Sequence, residues 1–349
     1  IQAGHQCVAL SDIWDKAELN CKNYSKFRKS KFFNLDMHNS KDKNVIIEEF
    51  KKNKIDMLVG GPPCQGFSSL GKRKKNDMRN ILVDEFLNII REIKQNYLII
   101  ENVSGLKSMD HKSGVKYPTF IHKFLNDNNY FSHSIELNGI NLGLAQTRKR
   151  VFVVAVKKNK LKLNNQYFFE NFFDHYLKKF QNKKKYNLKN IIFDLPRLKS
   201  NEGSEILNHN NRVIFNHNVF EYQKEVLKRL KFIKPGEGLI NVPKKYLNNH
   251  LLNMVNGKYG SGGFVKNIYG RLEWDKPCGT VVAGIRKITC GRFVHPEDDR
   301  LLTVRECAKL QGLPNNYLFR GSFSDQYTLV GNAVPPIFSK IIGKIFLLL

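Results

Sequence analysis

The first 156 residues alternate short apolar runs with stretches of helical periodicity. This alternation is typical of α/β folds, in which helices connect the strands of a largely parallel sheet. The apolar runs predict strands over residues 6–10, 55–59, 97–100, 132–137 and 150–156. We therefore expect a Rossmann-like, doubly wound, mostly parallel sheet whose ligands bind beyond the carboxyl ends of the strands.

Between the second and third predicted strands, apolar residues recur at helical spacing and predict a helix with one buried face. These residues are Leu82, Val83, Phe86, Ile89, Ile90 and Ile93. The last residues, IIGKIFLLL, are interrupted by Lys344 and too short to span a membrane, so they predict a packed final helix.

The pattern changes at Lys157. From there to residue 185 lysines and aromatic pairs alternate, and the glycine-rich segment GKYGSGGFVKNIYGRLEW follows; α/β patterning resumes near Val281. We predict a main domain at 1–156, a smaller irregular lobe at 157–274, and a return to the main domain at 275–349 that ends in a helix.

The net charge of the chain indicates which class of molecule it binds. The chain has 58 Lys and Arg against 31 Asp and Glu, a formal net charge of +27, so nucleic acid fits best and no membrane partner is expected. An AT-rich genome, which favours Lys and Asn, would explain part of this excess. The six cysteines form no CxxC pair, which argues against a zinc module or disulfides and indicates a reducing, cytosolic compartment.

Cys64 lies in the loop GGPPCQGFS, directly after the second predicted strand. The glycines of this loop permit close approach of a ligand, and its prolines restrict the backbone. A lone cysteine is most often a small buried hydrophobic residue. At a strand end of a basic α/β protein, however, the thiol is better explained as a nucleophile, provided that its surroundings favour the thiolate.

An acid and two arginines follow at the next strand ends. Glu101 comes after YLII, so we expect it at the same sheet edge as Cys64. In QTRKR, Arg148 and Arg150 occupy alternate positions and would share one side of an extended segment. The simpler alternatives are a glutamate that caps a turn and a solvated basic turn.

In this order, PPCQGFS, ENV, QTRKR, RECAKLQGLP and GNAVPP resemble the motif series of the DNA (cytosine-5-)-methyltransferases of bacterial restriction-modification systems. Five ordered matches across almost the whole chain are far more specific than any one of them. The resemblance implies methyl transfer from S-adenosyl-L-methionine to carbon 5 of a cytosine flipped out of double-stranded DNA, with no metal. It also implies a monomer, and a cognate restriction endonuclease as a further partner at the same DNA site.

The resemblance assigns roles to the candidate residues. Cys64 would add to carbon 6 of the cytosine, and Glu101 would hydrogen-bond ring nitrogen 3 and share a proton with it. Arg150 would contact the carbonyl oxygen of the base, and Arg148 would help to position the loop or the base. The lobe at 157–274 would be the target-recognition domain, which reads the major groove.

Further positions follow from the same resemblance. Asp12 would bind the ribose hydroxyls of the cofactor, Ile13 would pack on adenine and Asp36 would bind the adenine amino group. Taken singly each of these is more often structural, and Asp12 could simply cap a helix that starts near Trp14. The remaining cofactor candidates are Pro63, Leu82, Asn332 and Val334, and the DNA candidates are Gln65, Ser68 and Thr280.

One family feature does not occur in the sequence. The glycine-rich FxGxG turn around the methionine end of the cofactor is absent, and the chain opens with IQAGH about where the helix after that turn should be. We expect, as a hypothesis, that a strand and a glycine loop of the natural protein precede Ile1. The polypeptide as written should then bind the cofactor poorly and have low stability.

Two alternatives stay open. A tRNA cytosine-5 methyltransferase shares this catalytic core, although PPCQGFS and a lobe of this length favour a DNA substrate. A DNA-binding relic with impaired catalysis would agree with the absent glycine turn. Against the relic, Cys64, Glu101, Arg148 and Arg150 are all present.

Overall fold

The fold is described by a computed structural model, which covers residues 1–63, 81–161, 165–182, 184–257 and 265–349. The strands are β1 (Ala9–Asp12), β2 (Lys31–Asn34), β3 (Met57–Gly60), β4 (Tyr97–Asn102), β5 (Tyr130–Asn138), β6 (Lys149–Lys157), β7 (Gly203–His209), β8 (Arg212–Asn218), β9 (Gly270–Arg271) and β10 (Arg292–Val294). The helices are α1 (Asp15–Asn23), α2 (Ser40–Lys52), α3 (Ile81–Ile93), α4 (Tyr117–Asp127), α5 (Gln166–Lys179), α6 (Leu188–Ile192), α7 (Lys224–Leu230), α8 (Asn249–Val255), α9 (Val304–Leu310), α10 (Phe323–Asn332) and α11 (Pro336–Leu348).

The predicted strands are present, with shifted ends. β1 begins later than its apolar run and ends at Asp12, while β4 and β6 extend beyond their predicted limits. β2 was not predicted, because its sequence KFFN is too short to display a clear alternation.

The strands form parallel and antiparallel pairs, and β1 and β2 make a two-stranded sheet that is separate from the four-stranded sheet containing β3 and β4. β1 pairs in parallel with β2, and β3 pairs in parallel with β4. The four-stranded sheet has the order β3-β4-β6-β5, and within it β6 runs antiparallel to both of its neighbours. The start of β6 therefore lies at the carboxyl end of β4, where Val151 pairs with Asn102 and Phe152 with Glu101.

Helix α3 covers one face of this sheet, as its apolar stripe predicted. Its buried residues are Val83, Leu87, Ile89, Ile90 and Ile93, and they pack with residues of β3 and β4. A Cβ atom on Gly60 would lie 2.1 Å from the ring of Phe86. Glycine at the end of β3 is thus required for α3 to pack so closely.

The other face is covered by α5 and the final helix α11. Phe173 of α5 and Phe346 of α11 are in edge contact, with ring centroids 5.1 Å apart. The packed final helix predicted from IIGKIFLLL is therefore present. The lobe boundary at Lys157 remains a prediction, but α5, which follows it, contributes Phe169 and Phe173 to the core of the sheet.

A second core lies between the predicted lobe and the returning chain. It joins apolar residues of α6, α7 and α8 to those of α9 and α10. Within it, the carboxylate of Glu306 binds both terminal nitrogens of Arg300, at 2.8 and 2.9 Å. Burial raises the pKa of Glu306, but the Arg300 guanidinium outweighs burial and lowers that pKa far below its usual range.

Helices long and apolar enough to cross a membrane are not found among the described residues.

Candidate active site

Glu101 and Arg150 form an ion pair at the carboxyl edge of the sheet. Arg150 Nε lies 2.9 Å from Glu101 Oε1, and the two side chains are 15% and 18% exposed. The antiparallel register of β4 and β6 produces this contact, since it sets the first residues of β6 beside the last residues of β4. The structure therefore brings together an acid and a guanidinium that lie far apart in sequence.

Burial raises the pKa of Glu101, although the charges of Arg150 and Arg148 oppose that rise. A carboxyl group with a raised pKa keeps its proton to higher pH than an ordinary glutamate. Glu101 is thus suited to donate a hydrogen bond or a proton to a bound group, while Arg150 supplies a fixed positive charge next to it.

The loop that follows β3 reaches the same acid. A Cβ atom on Gly61 would lie 3.3 Å from Glu101 Oε2, so glycine lets the loop pass close to the carboxylate. Asn102 Nδ2 donates to the Pro62 carbonyl at 3.3 Å, and Asn102 Oδ1 accepts from the backbone of Val103 at 2.9 Å. Asn102 therefore ties the start of the loop to the end of β4.

Sequence reasoning did not select Asn102. The available signal was its position in ENV, a buried amide directly after the candidate acid. The predicted residues Cys64, Gln65 and Ser68 lie outside the described residues. Pro63 is the last described residue before them, and it is exposed.

Arg148 points into the protein and is 1% exposed. Its guanidinium donates to the Val281 carbonyl at 2.7 Å and to the Gly331 carbonyl at 3.1 and 3.2 Å. The first acceptor follows Thr280, and the second precedes Asn332. The two arginines of QTRKR thus have different surroundings: Arg150 contacts the acid, whereas Arg148 joins two backbone segments.

The segment with Thr280 runs beside the residues that precede β6. Thr147 N donates to Cys278 O at 3.0 Å, and Cys278 N donates to Ala145 O at 2.9 Å. Between these bonds, the buried amide of Gln146 accepts from Val281 N at 3.0 Å. Half-buried Thr280 is thus flanked by three backbone groups that are held by hydrogen bonds, namely Cys278 N, Cys278 O and Val281 N. The motif resemblance had assigned no role to Gln146, Cys278 or Val281.

Asp12, Ile13 and Asp36 cluster at the carboxyl ends of β1 and β2. Asp12 is in register with Asn34, whose side chain donates to Ile13 O at 3.1 Å. Asp12 does not cap α1: its Oδ1 accepts from Trp14 N at 2.9 Å, but Trp14 is itself the N-cap residue, and among the described residues no side chain caps that helix.

The surroundings of these residues fit an adenosine group. Ile13 is 63% exposed, an unusual position for a large apolar side chain at a strand end. Asp36 Oδ1 accepts from His38 N at 2.9 Å, which orients its carboxylate at the loop before α2. Two carboxylates and an exposed apolar surface suit ribose hydroxyls, an amino group and a flat ring.

The other predicted cofactor residues lie at helix ends. Leu82 is half-buried in the first turn of α3, and Asn332 is exposed as the last residue of α10. Val334 packs against the core formed by the sheet, α5 and α11.

Comparison with known proteins adds independent observations. Residues 1–346 match the sequence profile described as C-5 cytosine-specific DNA methylase. The type II methyltransferase M.DdeI of Desulfomicrobium norvegicum is 28% identical over an alignment of 314 residues that covers 83% of this chain and 72% of that protein. M.Sau96I of Staphylococcus aureus, also a type II methyltransferase, is 28% identical over an alignment of 302 residues that covers 85% of this chain and 61% of that protein.

The fold has a counterpart among solved structures. A prophage-encoded protein from E. coli, described as a DNA modification methyltransferase, matches 100% of this chain and 94% of its own, with a TM-score of 0.71 at 21% identity. At this identity the likeness concerns the fold, and it confirms the predicted Rossmann-like α/β class.

Proposed function

Because this chain belongs to the C-5 cytosine-specific DNA methylase family, we propose that it transfers the methyl group of S-adenosyl-L-methionine to carbon 5 of cytosine in a short sequence of double-stranded DNA. The observation that carries the proposal is the Glu101–Arg150 pair beside Gly61 and Pro62, where the loop leading to Cys64 begins.

Cys64 is the proposed nucleophile. Carbon 5 of cytosine is too weak a nucleophile to take a methyl group directly, so the Cys64 thiolate first adds to carbon 6. The electron pair moves through the ring to carbon 5, which then attacks the methyl group. Loss of the carbon 5 proton and of the thiolate restores the ring as 5-methylcytosine.

Glu101 and Arg150 stabilise the ring during this addition. Glu101 hydrogen-bonds ring nitrogen 3 and shares its proton there, which offsets the negative charge that thiolate attack moves into the ring. Its raised pKa favours this role, because a protonated carboxyl can donate. Arg150 provides a positive charge for the carbonyl oxygen of the base, held in place by β6.

When bound, S-adenosyl-L-methionine supplies a methyl group activated by its sulfonium. Asp12 and Asp36 hold the ribose and the adenine amino group, and exposed Ile13 packs on the adenine ring. Leu82, Asn332 and Val334 lie near the methionine end, and Pro63 is a further residue that contacts the cofactor.

DNA binds at the same edge of the sheet. A base within a duplex is stacked, so the cytosine must leave the helix before Cys64 can reach it. Gln65, Ser68 and Thr280 contact the flipped nucleotide and the gap that it leaves. The lobe at 157–274 reads the sequence, and the net charge of +27 supports binding to phosphates. A cognate endonuclease would recognise the same site.

Transfer of a labelled methyl group tests the proposal. The protein is incubated with methyl-labelled S-adenosyl-L-methionine and either mixed-sequence duplex DNA or tRNA. We expect label in DNA cytosine, loss of labelling with Cys64→Ala, and retention with Cys290→Ala, a matched change at a half-buried free cysteine. Label in tRNA alone, or full activity of Cys64→Ala, would contradict the proposal.

A covalent trap adds a second measurement. Duplex DNA with 5-fluorocytosine cannot lose its carbon 5 substituent after methyl transfer, so the enzyme should remain bound through Cys64. Denaturing electrophoresis would show this complex with the wild type and with Cys290→Ala, but not with Cys64→Ala. Bisulfite sequencing of cellular DNA would then identify the target sequence.

A further inference from the structure

Two buried glutamine side chains form a continuous line of hydrogen bonds between two segments of the proposed site. Val281 N donates to Gln146 Oε1 at 3.0 Å, and Gln146 Nε2 donates to Gln311 Oε1 at 3.3 Å. Gln311 Nε2 in turn donates to Val330 O at 2.6 Å. One end of this amide relay adjoins Thr280, and the other end lies in the last turn of α10.

The direction of the relay is set by its backbone partners. Gln146 Nε2 also donates to the Leu310 carbonyl at 3.0 Å, and Gln311 Nε2 to the Ala333 carbonyl at 3.3 Å. The oxygen of each side-chain amide accepts from one N–H group, and its nitrogen donates to two carbonyl oxygens, so only one orientation of each amide satisfies its partners. Both glutamines are 0% exposed, so water cannot replace a bond that breaks.

The relay connects segments with different proposed partners. On one side is Thr280, assigned to the flipped cytosine, and on the other are Asn332 and Val334, assigned to the cofactor. Arg148 runs parallel to the relay, since it binds Val281 O and Gly331 O. A displacement of either segment must therefore move the other or break a buried hydrogen bond.

We propose that Gln146 and Gln311 are positioning residues that couple the cofactor segment of α10 to the target-base segment at Thr280. This inference rests on the proposed function, which supplies the partners of the two segments. The glutamines act through the backbone at Val281, Val330 and Ala333. Occupation of the cofactor segment thereby favours the arrangement of Thr280 that receives the base.

Coupling between two ligands is the direct test. Affinity for target duplex DNA is measured with and without S-adenosylhomocysteine, for wild type, Gln146→Met and Gln326→Met. The control Gln326 is a third buried glutamine, which lies in α10 and is bound to Asn216, Glu205 and Gly321. We expect the analogue to tighten DNA binding in the wild type and the control, and to have an effect of less than about twofold in Gln146→Met.

Steady-state kinetics distinguishes a variant with misplaced reacting groups from a variant that is only less stably folded. Gln146→Met should lower kcat about 10- to 100-fold with a smaller change in KM, because small misplacements of reacting groups slow chemistry strongly. Gln326→Met should keep its kcat even where its Tm falls. Equal kcat and equal coupling in the two variants, or a wild type without coupling, would overturn the proposal.

Hydrogen exchange provides a measurement that needs no methyl transfer. Gln311→Met should speed exchange of the Val281 amide, which binds Gln146 rather than Gln311, and Gln326→Met should leave it unchanged. Unaltered Val281 exchange in Gln311→Met refutes the relay. Absence of methyl transfer by the wild type would instead refute the proposed function, and the exchange result would still decide on the relay.

The variant Gln146→Glu adds a rescue experiment. A protonated glutamate can accept from Val281 N and donate to Leu310 O or Gln311 Oε1. An ionised glutamate cannot donate, and its negative charge is repelled by these two oxygen atoms. Its kcat relative to the wild type should therefore rise as pH falls. A ratio that does not change with pH would count against the hydrogen-bonding role of this side chain.

Discussion

Two partly or fully buried glutamate–arginine pairs in this molecule differ in the direction in which the pKa of the glutamate is shifted. In the core beside the lobe, Glu306 makes two bonds to Arg300 and accepts a third from Thr303 N at 2.7 Å, and its pKa is lowered. At the sheet edge, Glu101 has one contact of 2.9 Å with Arg150, and burial raises its pKa. Full hydrogen bonding makes the first pair structural, whereas the second acid retains capacity for a ligand.

Position explains the difference between the pairs. The carboxylate of Glu306 also completes the capping box at the start of α9, where it accepts from the backbone N–H of the N-cap residue Thr303. Glu101 ends a strand at the rim of a sheet, where ligands of α/β proteins bind. The following predictions test this contrast, from the largest expected effect to the smallest.

Breaking the structural pair should have the largest effect. Glu306→Gln removes the fully buried carboxylate that binds both terminal nitrogens of Arg300 and leaves Asp298, 3.1 Å away, as its remaining anionic partner, so the free energy of unfolding should fall by about 3 kcal/mol. Urea denaturation of the wild type and the variant measures this difference in the free energy of unfolding. Glu18→Gln, which removes the partly exposed partner of exposed Lys22 in α1, should cost about 0.5 kcal/mol or less. Similar losses in the two variants would contradict the structural role of Glu306.

Changing the edge acid should affect turnover instead. Glu101→Gln cannot supply a proton to the base, so kcat for methyl transfer should fall about 10²- to 10⁴-fold. Unfolding by urea should show no loss of stability. A variant that retains wild-type kcat would remove Glu101 from the mechanism.

Removing the neighbouring cation should shift the pH profile. Without the Arg150 charge, which lowers the pKa of Glu101, that pKa rises further, so the protonated acid persists to higher pH. Arg150→Met should therefore move the alkaline decline of its reduced kcat upward in pH. Arg150→Lys, which keeps the charge, should move the decline less; equal shifts would argue against charge as the cause.

The smallest expected effect concerns the sign of the pH dependence of stability. The raised pKa of Glu101 stabilises the fold at low pH, and this contribution is lost as pH rises through the folded-state value. The lowered pKa of Glu306 acts oppositely, since its contribution is present above its ordinary value of 4.5 and is lost as pH falls below it. At pH 7, Glu101→Gln should thus raise the Tm slightly, whereas Glu306→Gln should lower it; a lower Tm for both would contradict the contrast.

Local patterns predicted several elements well. The stripe in α3 and the apolar final helix follow from side-chain spacing, which depends on the geometry of one helix. The apolar runs predicted that β3 and β4 exist and follow each other in the chain, although not their exact ends, and parallel pairing of the two strands brings Glu101 beside the loop that precedes Cys64.

Other features depend on partners distant in the chain. The apolar run of β6 does not predict whether this strand runs parallel or antiparallel to β4, because buried strands of both kinds have similar compositions. The apolar face of α5 likewise suited a lobe or a sheet, and only packing on α11 and β5 decides between them.

The sequence by itself determined the α/β class, the order of the motifs and the residue types available for chemistry, because these depend on local spacing and side-chain identity. Tertiary structure decided which of those residues meet. Antiparallel pairing set Arg150 against Glu101, while burial turned Arg148 and Gln146 toward backbone carbonyl and amide groups of Val281. Such choices follow from satisfying buried polar groups, and their partners come from segments that no local pattern connects.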